Sequence, residues 1–298
     1  MSIDFSGRVA IVTGAGGGLG RQHALALAAR GARVVVNDLT PEGPGAPSAA
    51  AVVAEITAAG GTAMASQASV TDESAVAAMV QQALDAWGRV DILVNNAGIL
   101  RDKSFAKMEM ADFRLVLDVH VMGAVICSHA VWAAMRAQKY GRIVMTSSSS
   151  GLWGNFGQSN YGAAKMALVG LMQTLAIEGA KDGIRVNCLA PTAATRMTAG
   201  LLPPPVLDLL KPEAVTPALL HLVSDDAPTR AILCAGAGTF ARAHITLTGG
   251  VHLGSGPDAA ERVAAAFDRI SDRAGDSVPD DGSAQGRNEI AQAMAADR

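Results

Sequence analysis

The sequence predicts an α/β protein: a doubly wound parallel sheet of seven strands with helices on both faces, followed by a C-terminal extension. Three observations carry this expectation. Short apolar runs of strand length alternate with longer segments of helical periodicity, the order that builds parallel strands through right-handed crossovers. The first run leads into a glycine-rich turn that opens a helix, VTGAGGGLG at residues 12–20. Half of the 298 residues are hydrophobic but only 4% are aromatic, so the apolar content is mostly Ala, Val, Leu and Ile, which suits strands buried on both faces.

The elements follow in order. Val9–Val12 reads as a buried strand, and Leu19–Arg30 as a helix stopped by Gly31. Arg33–Asn37 is the second strand. Residues 40–48 hold Pro41, Pro44 and Pro47 and form a loop. Ala49–Ala59 is helical and ends at Gly60-Gly61, and Thr62–Ser66 is a third strand. Asp72–Trp87 is a helix with Thr71 as its cap and Gly88 as its stop. Val90–Val94 and Arg142–Thr146 flank a long helical region, Ala111–Gln138. Asn160–Lys181 is the next helix and Ile184–Leu189 the sixth strand. Pro203-Pro204-Pro205 prevents residues 192–212 from forming one regular element. Glu213–Ser224 is helical and Ala231–Cys234 is the seventh strand. Beyond Thr239 the alternation stops. Residues 1–240 therefore form one domain and 241–298 an extension, with a helical pattern over Pro257–Ile270 (Val263, Phe267, Ile270), a loose stretch over 271–286, and a short helix over Asn288–Ala296.

Composition excludes several function classes. A net charge of −3 and a pI near 6.1 leave no electrostatic footprint for nucleic acid. Cys127, Cys188 and Cys234 are an odd number without motif spacing, which argues for buried free thiols rather than disulfides or a zinc site; no metal is expected. The N-terminal stretch lacks the pattern of a secretory leader, and no apolar run is expected to approach the ~20 residues that span a bilayer. The expectation is a soluble, cytoplasmic protein with no membrane partner.

Gly14, Gly18 and Gly20 lie between the first strand and first helix, where glycine permits a tight turn and close backbone approach to a pyrophosphate. The pattern is G-x-x-x-G-x-G, and Leu19 stands where G-x-G-x-x-G would end. Asp38 closes the second strand, placed to bond the adenosine ribose hydroxyls and to repel a 2′-phosphate. No Lys or Arg lies within residues 14–18, although Arg21 is close, so the expected cofactor is NAD rather than NADP. Asn95-Asn96-Ala97-Gly98 follows the fourth strand, at the edge where doubly wound sheets bind ligands.

Ser148, Tyr161 and Lys165 are spaced S-x12-Y-x3-K. Tyr161 and Lys165, four apart on one helix, share a face. A free phenol ionises near pH ~10, so a base working near neutrality needs a depression of about three units, roughly 4 kcal/mol. The Lys165 ammonium and an oxidised nicotinamide are expected to supply it. Ser148 would bond the substrate oxygen. Neighbours in an extended segment face opposite ways, so Ser147 and Ser148 cannot both face the cofactor, and periodicity does not choose between them.

Taken in this order, TGAGGGLG, NNAG and S-x12-Y-x3-K resemble the short-chain dehydrogenase/reductase family, over about Phe5–Gly238. The resemblance implies a Rossmann-type domain in which Ser148 is the catalytic serine and Tyr161 the general acid/base. Lys165 would bond the nicotinamide ribose and lower the tyrosine pKa. Asn96, with Ala97 and Gly98, would lie against the adenosine side, and Pro191, Ala193 and Thr195 would border the nicotinamide. The segments VVVNDL, NNAGILRDKSF, GNFGQSNYGAAK and LAPTAATRMT are similar to members that oxidise 3-hydroxyacyl-CoA to 3-oxoacyl-CoA with NAD+, as one unit of a multifunctional β-oxidation enzyme or as stand-alone bacterial proteins. Other members act on hydroxysteroids or on acyl chains held by carrier protein, and a non-catalytic NAD(H) sensor is a rival of another class.

The chain departs from the family pattern at three places. His120, in LDVHVMGA, replaces the usual asparagine of a catalytic tetrad, and both a catalytic and a core role stay open for it. Ser69-Val70 replaces an Asp-Val pair that contacts adenine. The tail after Gly238 matches poorly. Residues 195–225, with Met197, Leu201 and Leu202, are expected to form a lid over a small hydrophobic substrate, acyl-CoA or steroid-like. A homodimer or homotetramer through Ala111–Gln138 and Asn160–Lys181 is also expected.

Overall fold

In the computed structural model, which describes residues 3–39, 48–194 and 203–296, the chain divides into two units, Met1–Arg242 and Ala243–Arg298. The first unit opens with β1 (Val9–Thr13), α1 (Gly18–Ala28), β2 (Arg33–Asn37), α2 (Ala49–Ala58), β3 (Thr62–Ser66), α3 (Glu73–Trp87) and β4 (Ile92–Asn95). It continues with α4 (Met110–Leu117), a π-helical turn at Asp118–Met122, α5 (Gly123–Gln138), β5 (Gly141–Thr146), α6 (Ser149–Trp153), α7 (Ser159–Gly179) and β6 (Ile184–Thr192). After these come α8 (Pro204–Leu209), α9 (Thr216–Leu222), β7 (Ile232–Gly236) and β8 (Thr239–Ala243).

The strands form one sheet in the order β3-β2-β1-β4-β5-β6-β7-β8. The first seven pair in parallel, with Ile11 beside Val35 on one side and Leu93 on the other. The order reverses between β1 and β4, and that reversal opens a crevice at the carboxyl ends of the strands. All residues of β1, β4 and β5 are buried, including Arg142 within β5, as strands covered on both faces require. Alternate side chains serve opposite faces. Val12, Val34, Val36 and Val94 join Leu27, Ile56 and Leu219 in a core under α1, α2 and α9, while α3, α5 and α7 cover the other face. Each of these large aliphatic side chains contributes roughly 1.5–3 kcal/mol by leaving water.

The structure corrects several sequence expectations. The sheet has eight strands, not seven. The turn joining β7 to β8 is Ala237-Gly238, both at positive φ (50° and 72°), as a two-residue hairpin of type I′ requires. An edge strand on this hairpin buries little (Phe240 is 46% exposed), so it carries no apolar run to be read. The cap of α3 is Asp72, whose carboxylate accepts from the Ala75 amide at 3.0 Å, and not Thr71. The helical run Met110–Gln138 is, by length and mean hydropathy (1.6), apolar enough to cross a bilayer, contrary to expectation. In this fold Ala124, Cys127, Val131 and Met135 of that run are buried, and it packs on β4, β5 and α3. Cys127 and Cys188 are buried free thiols, but Cys234 is only half-buried. Pro204 stands at the start of α8, where its missing N–H is tolerated. Thr195, Met197, Leu201 and Leu202 lie outside the described residues.

At the amino-terminal edge of the sheet, fully buried Asp91 accepts from the Val9 amide (2.9 Å) and from Arg89 (2.7 and 2.8 Å). The guanidinium groups of Arg8 and Arg142 stack on the Tyr140 ring at 3.7 and 4.1 Å, and the Tyr140 hydroxyl donates to Asp225 at 2.8 Å.

The second unit holds α10 (Ala259–Ala265), α11 (Phe267–Ile270) and α12 (Ala284–Ala296), with an antiparallel bridge between Leu247 and Ser277. The pattern read over 257–270 does not bury its apolar members: Val263 and Phe267 are exposed, and Ala266 is the one buried apolar residue among the described residues of this unit.

Candidate active site

The carboxyl end of β1 turns into α1 through residues that admit no side chain. Gly14 has φ 62°, and a Cβ there would stand 2.8 Å from Ala97 Cα. A Cβ on Gly16 would reach Asp38 Oδ2 at 2.7 Å, and the Gly16 amide donates to that same oxygen at 2.7 Å. Asp38 is thus held directly against the turn, with its Oδ1 accepting from the Leu39 amide at 2.9 Å. Gly17 precedes α1 and supplies no capping side chain, which leaves the first amides of an 11-residue helix free to meet an anion. Gly18 and Gly20 lie in the first turn of α1, and Leu19 is packed partly into the core beside them. The uncapped helix start and the close approach around Gly14 fit a pyrophosphate lying against backbone. Gly16, one glycine among several in the turn, is marked out only by its contact with Asp38.

Asn96 knits this turn to the one after β4. Its Nδ2 donates to the carbonyls of Thr13 and Gly14, both at 3.0 Å, while Thr13 Oγ1 accepts from the amides of Asn96 and Ala97, also at 3.0 Å. Thr13 is a positioning residue the sequence did not single out. Ser69 Oγ is 2.9 Å from Thr71 Oγ1, and Val70 is buried against Gly123, where any Cβ would meet Val70 Cγ2 at 2.7 Å.

On the other side of the crevice, α6 and α7 bring the polar triad together. Ser147 Oγ donates to the Lys165 carbonyl at 2.9 Å and is fully turned into the fold. Ser148 caps α6, accepting from the Ser150 amide at 3.2 Å, and its hydroxyl is near enough to Tyr161 to favour the phenolate. Ser148 is extended (φ −163°, ψ 155°) just ahead of α6, so it faces away from Ser147. Lys165, buried, donates from Nζ to the Thr146 carbonyl at 2.6 Å, with the Tyr161 ring centroid 5.4 Å away. His120, in the π-helical turn, meets the Tyr161 ring at 87° with centroids 5.3 Å apart. Pro191 lies in β6 opposite Ala235, and Ala193 is buried just beyond.

Two further residues hold Tyr161 in place. Asn160 is buried, accepts from the Tyr161 amide (2.7 Å) and donates to the Arg101 carbonyl (3.0 Å). Gln158 accepts from Ser150 Oγ (2.7 Å) and Asn155 (3.0 Å) and donates to Asp102 (2.6 Å). Both flank the tyrosine in sequence, but isolated polar residues before a helix read as ordinary turn chemistry.

Burial dominates the electrostatics of the free protein. Burial pushes the Tyr161 phenol up, the Ser148 hydrogen bond pulls it down, and the Asp102 charge pushes it up again. Burial brings Lys165 down to about 7. The desolvation that brings ammonium and phenol together weakens the ammonium. Burial likewise takes His120 down to about 3, with the Lys165 charge as a second cause, so the imidazole is neutral.

Known proteins fit this geometry. A family model described as short chain dehydrogenase matches residues 8–203. The chain is 48% identical to a short-chain type dehydrogenase/reductase of Mycobacterium tuberculosis, Rv0148, over 90% of this chain and 95% of that protein. The solved full-length peroxisomal multifunctional enzyme type 2 of Drosophila melanogaster superposes with a TM-score of 0.83 at 37% identity, covering 99% of this chain and 50% of that one. A 7α-hydroxysteroid dehydrogenase solved with NADH and 7-oxo glycochenodeoxycholic acid superposes with a TM-score of 0.71 at 32% identity, covering 79% of this chain and 95% of that one. The chain spans about half, or less, of the length of the multifunctional relatives it matches.

Proposed function

This chain belongs to the short-chain dehydrogenase family, and we propose that within it the protein interconverts 3-hydroxyacyl-CoA and 3-oxoacyl-CoA with NAD. It is an oxidoreductase acting on CH–OH groups with a nicotinamide cofactor. The choice of substrate draws on the multifunctional hydratase-dehydrogenase-epimerase relatives and on a 3-oxoacyl-[acyl-carrier-protein] reductase at 42% identity. The choice of NAD draws on Asp38, whose Oδ2 sits 2.7 Å from the Gly16 amide and places a negative charge where a 2′-phosphate would come.

The single observation that carries the reading is the convergence of Ser148, Tyr161 and Lys165 at the carboxyl edge of the sheet, beside the glycine turn. When bound, the nicotinamide accepts or returns the hydride and, oxidised, adds a positive charge. The residues of the chain handle the proton. Ser148 Oγ holds the substrate oxygen beside the phenol. Tyr161 takes the hydroxyl proton during oxidation and returns it during reduction. Its raised pKa keeps the phenol protonated in the free protein, the form needed for reduction. Lys165, anchored on the Thr146 carbonyl, supplies positive charge behind the ring. We further propose a homodimer or homotetramer, since Leu115, Met122, Met166 and Ile177 of α4, the π turn and α7 are exposed.

Steady-state turnover with NAD+ across 3-hydroxyacyl-CoA chain lengths and hydroxysteroids tests the substrate. Turnover of acyl-CoA substrates is expected, and steroid oxidation with uniform inactivity toward acyl-CoA would reject it. Asp38→Ser tests the cofactor: affinity for NAD should fall about tenfold while NADP gains, through loss of a charged hydrogen-bond acceptor. An unchanged preference would remove Asp38 from this role.

A further inference from the structure

His120 lies at the centre of the π-helical turn Asp118–Met122 and is 3% exposed. A π turn carries one residue more than the α ladder accommodates, and such turns often sit at functional sites. The imidazole fills the space between two parts of the crevice. On one side, Nε2 stands 2.8 Å from the Ile99 carbonyl oxygen and 3.0 Å from the Ile99 amide. On the other, the ring is perpendicular to Tyr161, 5.3 Å away between centroids. Gly98 closes on the same ring: a Cβ there would lie 2.9 Å from Nδ1 and 3.0 Å from Nε2, so a side chain at 98 and an imidazole at 120 exclude one another.

Nε2 faces both polar groups of Ile99: protonated it donates to the carbonyl, and bare it accepts from the amide, so either tautomer ties the ring to the Ile99 backbone. Nδ1 is buried without a hydrogen-bond partner among the described residues.

We infer that His120 is a positioning residue for Tyr161: a wedge, tied at Nε2 to the Ile99 backbone, that sets the plane and surroundings of the phenol and takes no part in moving the proton. The inference rests on the catalytic reading of Tyr161 given above. It also resolves the two roles left open for this histidine, since the ring acts on chemistry through packing.

The test uses a property of this sequence. Tyr140 and Tyr161 are its two tyrosines, and burial pushes Tyr140 up to about 12. Near-ultraviolet tyrosinate absorbance in a Tyr140→Phe background, into which each His120 variant is placed, therefore reports Tyr161 alone, with no substrate or cofactor present. His120→Ala should admit water beside the phenol and lower its midpoint by at least about half a pH unit. His120→Phe, which keeps a flat ring, should leave the midpoint near that of the background with His120 intact. In turnover, His120→Ala should lower kcat about 10–100-fold, the scale of a misplaced reacting group, with KM for the cofactor changed less than about threefold. His120→Phe should retain more activity than Ala, and His120→Asn serves as the smaller polar variant should Ala fail to fold. A tyrosinate midpoint unmoved in Ala and Asn alike overturns the inference. So does equal loss of kcat in Phe and Ala, which would make His120 a proton carrier. If the native protein turns over no hydroxyacyl-CoA, the proposed function falls, while the absorbance titration still decides the role of His120.

Discussion

The two ends of the sheet treat polar groups in opposite ways. At the amino-terminal edge the buried charge is fully partnered. Asp91 has the Val9 amide and Arg89, while Arg142 donates to the carbonyls of Ser224, Gly141, Gly183 and Asp225. At the carboxyl edge and along the helices that frame it, four buried polar atoms lack hydrogen-bond partners among the described residues: His23 Nε2, His120 Nδ1, Thr146 Oγ1 and Ser159 Oγ. One edge is closed on itself by protein hydrogen bonds, and the other leaves polar atoms without a protein partner among the described residues.

That contrast can be broken most severely at the phenol. Tyr161→Phe should lower kcat about 10³–10⁴-fold, with cofactor affinity changed less than about threefold and thermal stability little altered. Fluorescence titration with NADH beside steady-state assays checks this, and a native rate would take the proton from Tyr161. At the other edge the effect should reverse. Asp91→Asn should lower the unfolding free energy by about 2–3 kcal/mol, because it weakens a fully buried acceptor facing Arg89, while kcat per folded molecule stays native. Denaturant unfolding with activity normalised to folded protein measures both, and a selective loss of kcat would contradict the division of labour.

A smaller effect concerns acid. Burial lowers His23 and His120 to about 3 from the ordinary 6.5, so the unfolded chain binds their protons first. Stability from these neutral rings is complete above about pH 6.5 and is lost as pH falls toward 3. Between pH 7.5 and 5.5 each should account for about 1.4 kcal/mol. His23→Leu should remove about half of that combined drop. An unchanged slope in urea unfolding across this range would show that His23 is not held neutral by burial.

Much of the fold was legible because its signals are local. The span of β2 at Arg33–Asn37 follows from an apolar run between Gly31 and the proline loop, and α3 ends at Gly88 because only a left-handed residue (φ 76°) stops it there. β8 was illegible because an edge strand buries almost nothing. The site was legible as residues and illegible as contacts. Gln158 and Asn160, which hold the segment carrying Tyr161, look like turn residues until Asp102 and Arg101 are brought to them across more than fifty positions of chain.

From sequence alone came the identity of the parts: glycines where backbone must approach closely, an acid at the end of β2, and a tyrosine and lysine one helical turn apart. Each follows from spacing along a single element, whose geometry is set by its own backbone. Tertiary structure decided the rest. It turned Ser147 inward onto the Lys165 carbonyl and left Ser148 at the phenol, and it wedged His120 between Ile99 and Tyr161. It also set the electrostatics of the free protein, because burial is a property of packed neighbours and acts on the ammonium and the phenol together.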